Sequence, residues 1–178
     1  DGEINGQDEH PFAFDQTPWL QFSLNAGLQW KNFDFNMLLQ GSALGSMEYK
    51  EPLHEIWGKN GGGALTQFLD RWHPVDPKAD PSTVWTSGHY AYTGRWAKNN
   101  SAFNRVSTAY LRLKSIELGY TFPKLKQIPN ASLRVYANAY NLLTFTGVKF
   151  VDPEHPDDDL GRMYPLNKTY TLGVSLSF

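Results

Sequence analysis

Ten residues at the end of the chain, Thr169 to Phe178, alternate without interruption: Tyr170, Leu172, Val174, Leu176 and Phe178 share one parity, and Thr169, Thr171, Gly173, Ser175 and Ser177 share the other. A period of two belongs to a strand whose faces meet unlike environments. One face is wholly apolar, and the other is small and polar, which suits a wet lumen or a tightly packed interior better than a second hydrophobic layer. About ten residues of such alternation is the length a tilted strand needs to cross a hydrocarbon core. The run is therefore expected to be the closing strand of an all-β, antiparallel transmembrane barrel.

Four further strands follow from the same pattern. Leu20 to Trp30 alternates over eleven positions, Lys31-Asn32 turns the chain, and Phe33, Phe35, Met37 and Leu39 alternate with polar neighbours up to Gly41. This is a hairpin over 20–30 and 33–41 with Trp30 and Phe33 at one end, where amphipathic rings suit a membrane boundary. A third strand is expected over 107–122. Leu111 and Leu113 break the parity set by Ile116, Leu118, Tyr120 and Phe122, so its upper part either leaves the membrane or carries a bulge. A fourth, over 131–143, alternates Leu133, Val135, Ala137 and Ala139 with Arg134, Tyr136 and Asn138, and the fifth covers 169–178.

Loop lengths orient this set, because such barrels keep short turns on the periplasmic side and long loops outside. Lys31-Asn32 and the linker 123–130 are short, whereas 43–106 and 144–167 are long and are expected to be extracellular. Within the first, Leu65, Phe68, Leu69 and Trp72 recur at helical spacing after Gly61-Gly62-Gly63, which predicts a short amphipathic helix. Its aromatic residues, Trp57, Trp72, Trp85, Tyr90, Tyr92, Trp96 and Phe103, could stack on sugars or peptide side chains, though burial is the expectation for most. Trp57, Trp85, Tyr90 and Trp96 are the candidates for substrate or partner contact, since loops on a rigid scaffold commonly carry binding. Five strands cannot close a barrel of this kind, so the remaining wall is expected from elsewhere in a longer chain.

Composition excludes several classes. There is no cysteine, which removes disulfides and thiolate chemistry, and a formal net charge of −2 gives no indication of nucleic acid. No apolar run approaches the length of a membrane helix, and the start of the chain carries no secretory signal. The five histidines are scattered, without a zinc-protease spacing, nucleophile elbow or phosphate loop, so no enzyme is expected. Asp1-Gly2-Glu3-Ile4-Asn5-Gly6-Gln7-Asp8 reads either as a polar turn or as the second half of a calcium loop, with Asp1, Asn5 and Asp8 as ligands. Asp152, Glu154, Asp157, Asp158 and Asp159, near His155, read as a solvated outer loop in preference to a second calcium site. The rival to a barrel is a soluble carbohydrate-binding β-sandwich, which would bury the apolar faces under a second sheet.

The residues also resemble a family, the SusC/RagA-type TonB-dependent outer-membrane transporters of Bacteroidota. The resemblance covers nearly the whole chain: Asp1-Gly2-Glu3-Ile4 through Asp8, Lys31-Asn32-Phe33-Asp34 to Gln40-Gly41, Trp72-His73-Pro74 with Pro81, Leu133 to Leu142, and above all Ser107 to Tyr120. It implies the last five or so strands of a 22-stranded barrel, with a plug domain and TonB box outside this sequence. It also implies import of oligosaccharides or peptides with a SusD-like surface lipoprotein, energised through TonB. Tyr170, Leu172, Val174, Leu176 and Phe178 would then be the signal read by the barrel assembly machinery as the strand enters outer-membrane lipid.

Overall fold

The computed structural model describes residues 2, 5–53, 64–76, 78, 84–91, 101–123, 131–155 and 162–178. Its strands are β1 (Leu20–Trp30), β2 (Phe33–Ala43), β3 (Ser46–Glu48), β4 (His73–Pro74), β5 (Trp85–Thr86), β6 (Arg105–Ser107), β7 (Tyr110–Phe122), β8 (Ser132–Thr146) and β9 (Thr169–Ser177). Five of them form one sheet in the order β1-β2-β7-β8-β9, with every neighbouring pair antiparallel. β3 pairs with β6 and β4 with β5.

Register carries the alternation across the sheet. Ala26, Met37, Ile116, Ala139 and Tyr170 form one continuous row, and Leu28, Phe35, Leu118, Ala137 and Leu172 form the next. Directly paired residues share a face, so the apolar sets of all five strands lie on one side. That face is uncovered: Leu28 is 65% exposed, Leu118 53% and Leu172 85%. A sandwich would have buried these side chains.

The turn between β1 and β2 works because Lys31 adopts φ +56°, a left-handed conformation suited to two-residue hairpin turns. At this end Trp30 stacks on Phe33 with centroids 6.4 Å apart, Phe33 meets Tyr120 edge-on at 4.7 Å, and Tyr120 meets Phe122 at 4.7 Å. The row has the character of an interfacial aromatic girdle.

The broken parity of β7 is a bulge. Pairing with β2 steps from Leu38↔Ser115 to Leu39↔Leu113 and skips Lys114, which returns Leu113 and Leu111 to the face of Ile116 and Leu118. On the other side Ser115 pairs with Tyr140 and Leu113 with Leu143, and Asn141, at φ +52°, helps take up the added length.

Three expectations need correction. The strand sought over 107–122 is two: β6 ends at Ser107 and pairs with β3, because Thr108 turns its N–H to Gly45 O at 3.0 Å before β7 begins at Tyr110. The helix sought over Leu65 to Trp72 is a single 3-10 turn, Thr66–Leu69, because His73 and Pro74 already belong to a strand and Asp70 N–H closes back on Gln67 O. Only Phe68 of that apolar set is buried, while Leu69 is 76% exposed. Among the loop aromatics, Trp72 and Phe103 are exposed and Trp85 and Tyr90 half-buried, so burial of most does not hold for those described. Trp57, Tyr92 and Trp96 lie outside the described residues.

Candidate functional site: the polar wall and the long loops at one end

Opposite the apolar face, the second parity of each strand lines a polar wall. Near the short-turn end it carries Asp34 on β2, Glu117 on β7 and Arg134 on β8. Arg134 Nε donates to Asp34 Oδ2 at 3.0 Å, and its Nη2 donates to Asp34 Oδ1 and, at 2.6 Å, to Glu117 Oε1. Asn138 Nδ2 donates to the other Glu117 oxygen at 3.4 Å, and the guanidinium lies 4.7 Å from the Tyr136 ring centre. One cation thus ties three adjacent strands together from the inside. Gly173 on β9 leaves the space that the Tyr136 ring occupies.

At the long-loop end the wall carries Arg112, only 1% exposed. Burial of a guanidinium requires saturation of its donors. Nη1 donates to Glu154 at 2.6 Å, Nη2 to Asp152 at 2.6 Å and Nε to Thr144 Oγ1 at 3.1 Å. Its charge centre is 5.1 Å from the Tyr110 ring. Asp152 and Glu154, expected as part of a solvated acidic loop, instead fold that loop down onto the wall, with Pro153 and His155 buried beside them. Asp157, Asp158 and Asp159 lie outside the described residues. Beneath this roof opens a cleft of about 670 Å³, lined by Gln21, Ser23, Gln40, Ser42, Thr108 and Tyr110 among others.

The two long loops meet at Tyr49. Its backbone N–H donates to Asn104 O at 2.8 Å, its hydroxyl accepts from the N–H of Lys149 at 3.2 Å, and its ring tilts against Phe150 at 5.7 Å. Burial pushes the Tyr49 hydroxyl pKa up, partly offset by the backbone donors at Lys149 and Phe150. Tyr90 is pushed up too, chiefly by burial, with Tyr49 and Asp70 adding.

Of the residues singled out from sequence, Tyr90 is held by its N–H to Asp70 O at 3.0 Å and by its carbonyl accepting from Trp72 N–H at 2.8 Å. Its ring meets Phe68 edge-on at 4.8 Å, and His89 stacks on Phe103 at 4.8 Å beside it. Trp85 sits on β5 opposite Pro74. Trp57 and Trp96 lie outside the described residues, as does Asp1. Asn5 and Asp8 cap one another: Asn5 Oδ1 accepts from Gln7 N–H at 2.8 Å and Asp8 Oδ2 from Asn5 N–H at 2.8 Å. Among the described residues no group of three or more acidic or histidine side chains is placed to hold a metal. Tyr170, Leu172, Val174, Leu176 and Phe178 line one edge of the apolar face, with Phe178 98% exposed.

Sequence reasoning passed over Arg112, Tyr49 and the Asp34–Glu117–Arg134 cluster. The signal for the cluster was present, since all three charges lie on the small-polar parity of their strands. Arg112 was hidden by the bulge, which shifts its parity relative to Ile116 and Leu118.

No family model matches the chain. It is 27% identical over 196 aligned positions to the TonB-dependent receptor P3 of Formosa agariphila, across 99% of this chain and 18% of that protein. It is 28% identical over 158 positions to the TonB-dependent receptor SusC of Bacteroides thetaiotaomicron, across 87% of this chain and 15% of that protein. Two solved structures of the RagAB peptide importer match the whole chain. The open-open state gives a TM-score of 0.67 at 22% identity, and the closed-closed state 0.69 at 21%. In each, the chain covers 19% of the matched chain. The chain thus spans less than a fifth of the relatives it matches. These relatives uphold the resemblance to SusC/RagA-type TonB-dependent transporters, the all-β fold of a partial barrel and the outer-membrane location.

Proposed function

We propose that the chain forms five strands of the wall of an outer-membrane transporter that imports oligosaccharides or peptides, energised through TonB and working with a SusD-like surface lipoprotein. One observation carries this reading: a five-stranded antiparallel sheet with a continuous, uncovered apolar face and an ion-paired polar face. Such a sheet is stable only where lipid replaces a second protein layer and further strands satisfy its edges, because an unpaired backbone group in hydrocarbon costs several kcal/mol. The soluble sandwich reading has no observation in its favour, since the rows containing Leu28, Leu118 and Leu172 stand exposed. Partner contact and capture of substrate are assigned to the long loops, including Trp57, Trp85, Tyr90 and Trp96, which the wall supports.

Uptake tests the reading. Cells lacking the parent protein and cells lacking TonB should lose import of the same labelled oligosaccharide or peptide. A substrate whose uptake depends on the parent protein but not on TonB would contradict energised transport.

A further inference from the structure

The floor of the cleft at the long-loop end of the polar wall is made of neutral groups that both donate and accept hydrogen bonds, while Glu154, ion-paired to Arg112, and His155 line its roof. Gln21 pairs directly with Ser42, and Ser23 with Gln40, so two amides and two hydroxyls occupy the corners of one patch on neighbouring strands. By strand geometry the patch measures about 5 Å across the strands and about 7 Å along them. Thr108, nine-tenths buried, adds a hydroxyl oxygen with no hydrogen-bond partner, and Tyr110 adds a ring. Among the described residues no lysine or arginine lines the cleft. The nearby cation, Arg112, is already ion-paired with Asp152 and Glu154 and hydrogen-bonded to Thr144.

We infer that this patch is a binding subsite for a neutral, polyhydroxylated ligand, a segment of an uncharged oligosaccharide, on the lumen side of the wall. The inference rests on the transporter reading above and narrows its substrate class. Vicinal hydroxyls donate and accept at once, as glutamine amides and serine hydroxyls do, so each ligand group can be satisfied in either sense. The Tyr110 ring and the prolines at 18 and 153 supply apolar surface for the C–H faces of a sugar. Among the described residues an anionic sugar would find no lysine or arginine in the lining, and two carboxylates against one guanidinium leave the roof net negative, so its charge would be desolvated without compensation there. A peptide is disfavoured for a separate reason. It binds sheets by adding a strand at an edge, yet β2 is paired on both sides and the outer edge of β1 is the one that a further wall strand takes in the barrel reading, leaving only side chains to recognise it.

The test uses the full-length parent transporter in detergent, with its barrel checked by heat-modifiable migration. Probes are labelled cellohexaose, xylohexaose, mannohexaose and maltohexaose, hexagalacturonate, and an uncharged hexapeptide. At least one neutral hexasaccharide should bind, and Gln21→Ala with Gln40→Ala should weaken it by about tenfold, the effect of losing two net hydrogen bonds. Gln21→Glu, which keeps the shape and adds a charge, should weaken binding while the barrel still migrates normally. Binding of hexagalacturonate or the peptide alone, no binding of any neutral hexasaccharide, or neutral binding indifferent to these substitutions would overturn the inference. A parent protein that failed to migrate as a barrel would instead sink the transporter reading beneath it.

Discussion

Arg134 on β8 reaches across β7 to Asp34 on β2, its Nε 3.0 Å from Oδ2, and the path between them passes over the bare Cα of Gly119. A Cβ there would lie 2.5 Å from Asp34 Oδ2 and 2.6 Å from Arg134 Nη2. Gly119→Ala should therefore displace both ends of the ion pair and cost about 1–3 kcal/mol, as overpacking does. The temperature at which the folded barrel loses its fast electrophoretic migration should fall. The effect should largely vanish when Arg134→Ala is already present, so additive losses in the double variant would show that Gly119 acts by some other route.

Arg112 is the second inner cation, and its removal strands two carboxylates. Arg112→Ala should cost about 3 kcal/mol, the lower end for breaking a buried pair because Glu154 is 40% exposed. The loop over 148–155 should then become open to protease added to intact cells. Arg112→Lys should restore little protection, since a point charge cannot fork between Asp152 and Glu154. Equal resistance in all three proteins would mean that the loop is held elsewhere.

The contact between the long loops should fail in alkali. The Tyr49 pKa is raised by burial, so its stabilising effect is fully present below the ordinary tyrosine value near 10 and is lost as pH climbs through the raised one. Tyr49→Phe removes the acceptor for Lys149 N–H and should cost about 0.5–1.5 kcal/mol at neutral pH. The difference in ultraviolet absorbance between parent and Tyr49→Phe should titrate above pH 10. A difference titrating at or below 10 would contradict burial of this hydroxyl.

Period-two alternation made the strands legible, because one exposed apolar face and one polar face is a demand the sequence cannot satisfy any other way at Leu20 to Gln40 or Tyr170 to Phe178. What escaped it was local chemistry without a period. The spacing of Leu65, Phe68, Leu69 and Trp72 mimics a helix, yet the strand at His73–Pro74 claims the backbone immediately after. The break at Thr108 is set by a hydrogen bond to Gly45, some sixty residues away, and no local pattern encodes it. Arg112 and Asp152 stand 40 positions apart, so their pairing emerges only once β8 has folded back along β7.

Phe178 and the apolar residues before it are proposed to be the assembly signal. Phe178→Asp should reduce the amount of parent barrel recovered from outer membranes. Leu172→Arg should do so as well, at a cost of about 2–4 kcal/mol if Leu172 lies near the bilayer midplane. Wild-type amounts of both variants, with normal heat-modifiable migration, would remove that role from the strand.

The central claim is that rows such as Leu28–Phe35–Leu118–Ala137–Leu172 face lipid while their neighbours face a lumen. With no cysteine in this chain, single cysteines introduced here can be spin-labelled at defined positions, provided the rest of the parent is made cysteine-free. Labels at Leu28→Cys, Leu118→Cys and Leu172→Cys in the full-length transporter, reconstituted in bilayers, should relax strongly with dissolved oxygen and weakly with a water-soluble nickel chelate. Labels at Gln29→Cys, Ser115→Cys and Thr171→Cys should show the reverse preference. Protection of the first set from both reagents would place a protein layer over the apolar face and contradict the account.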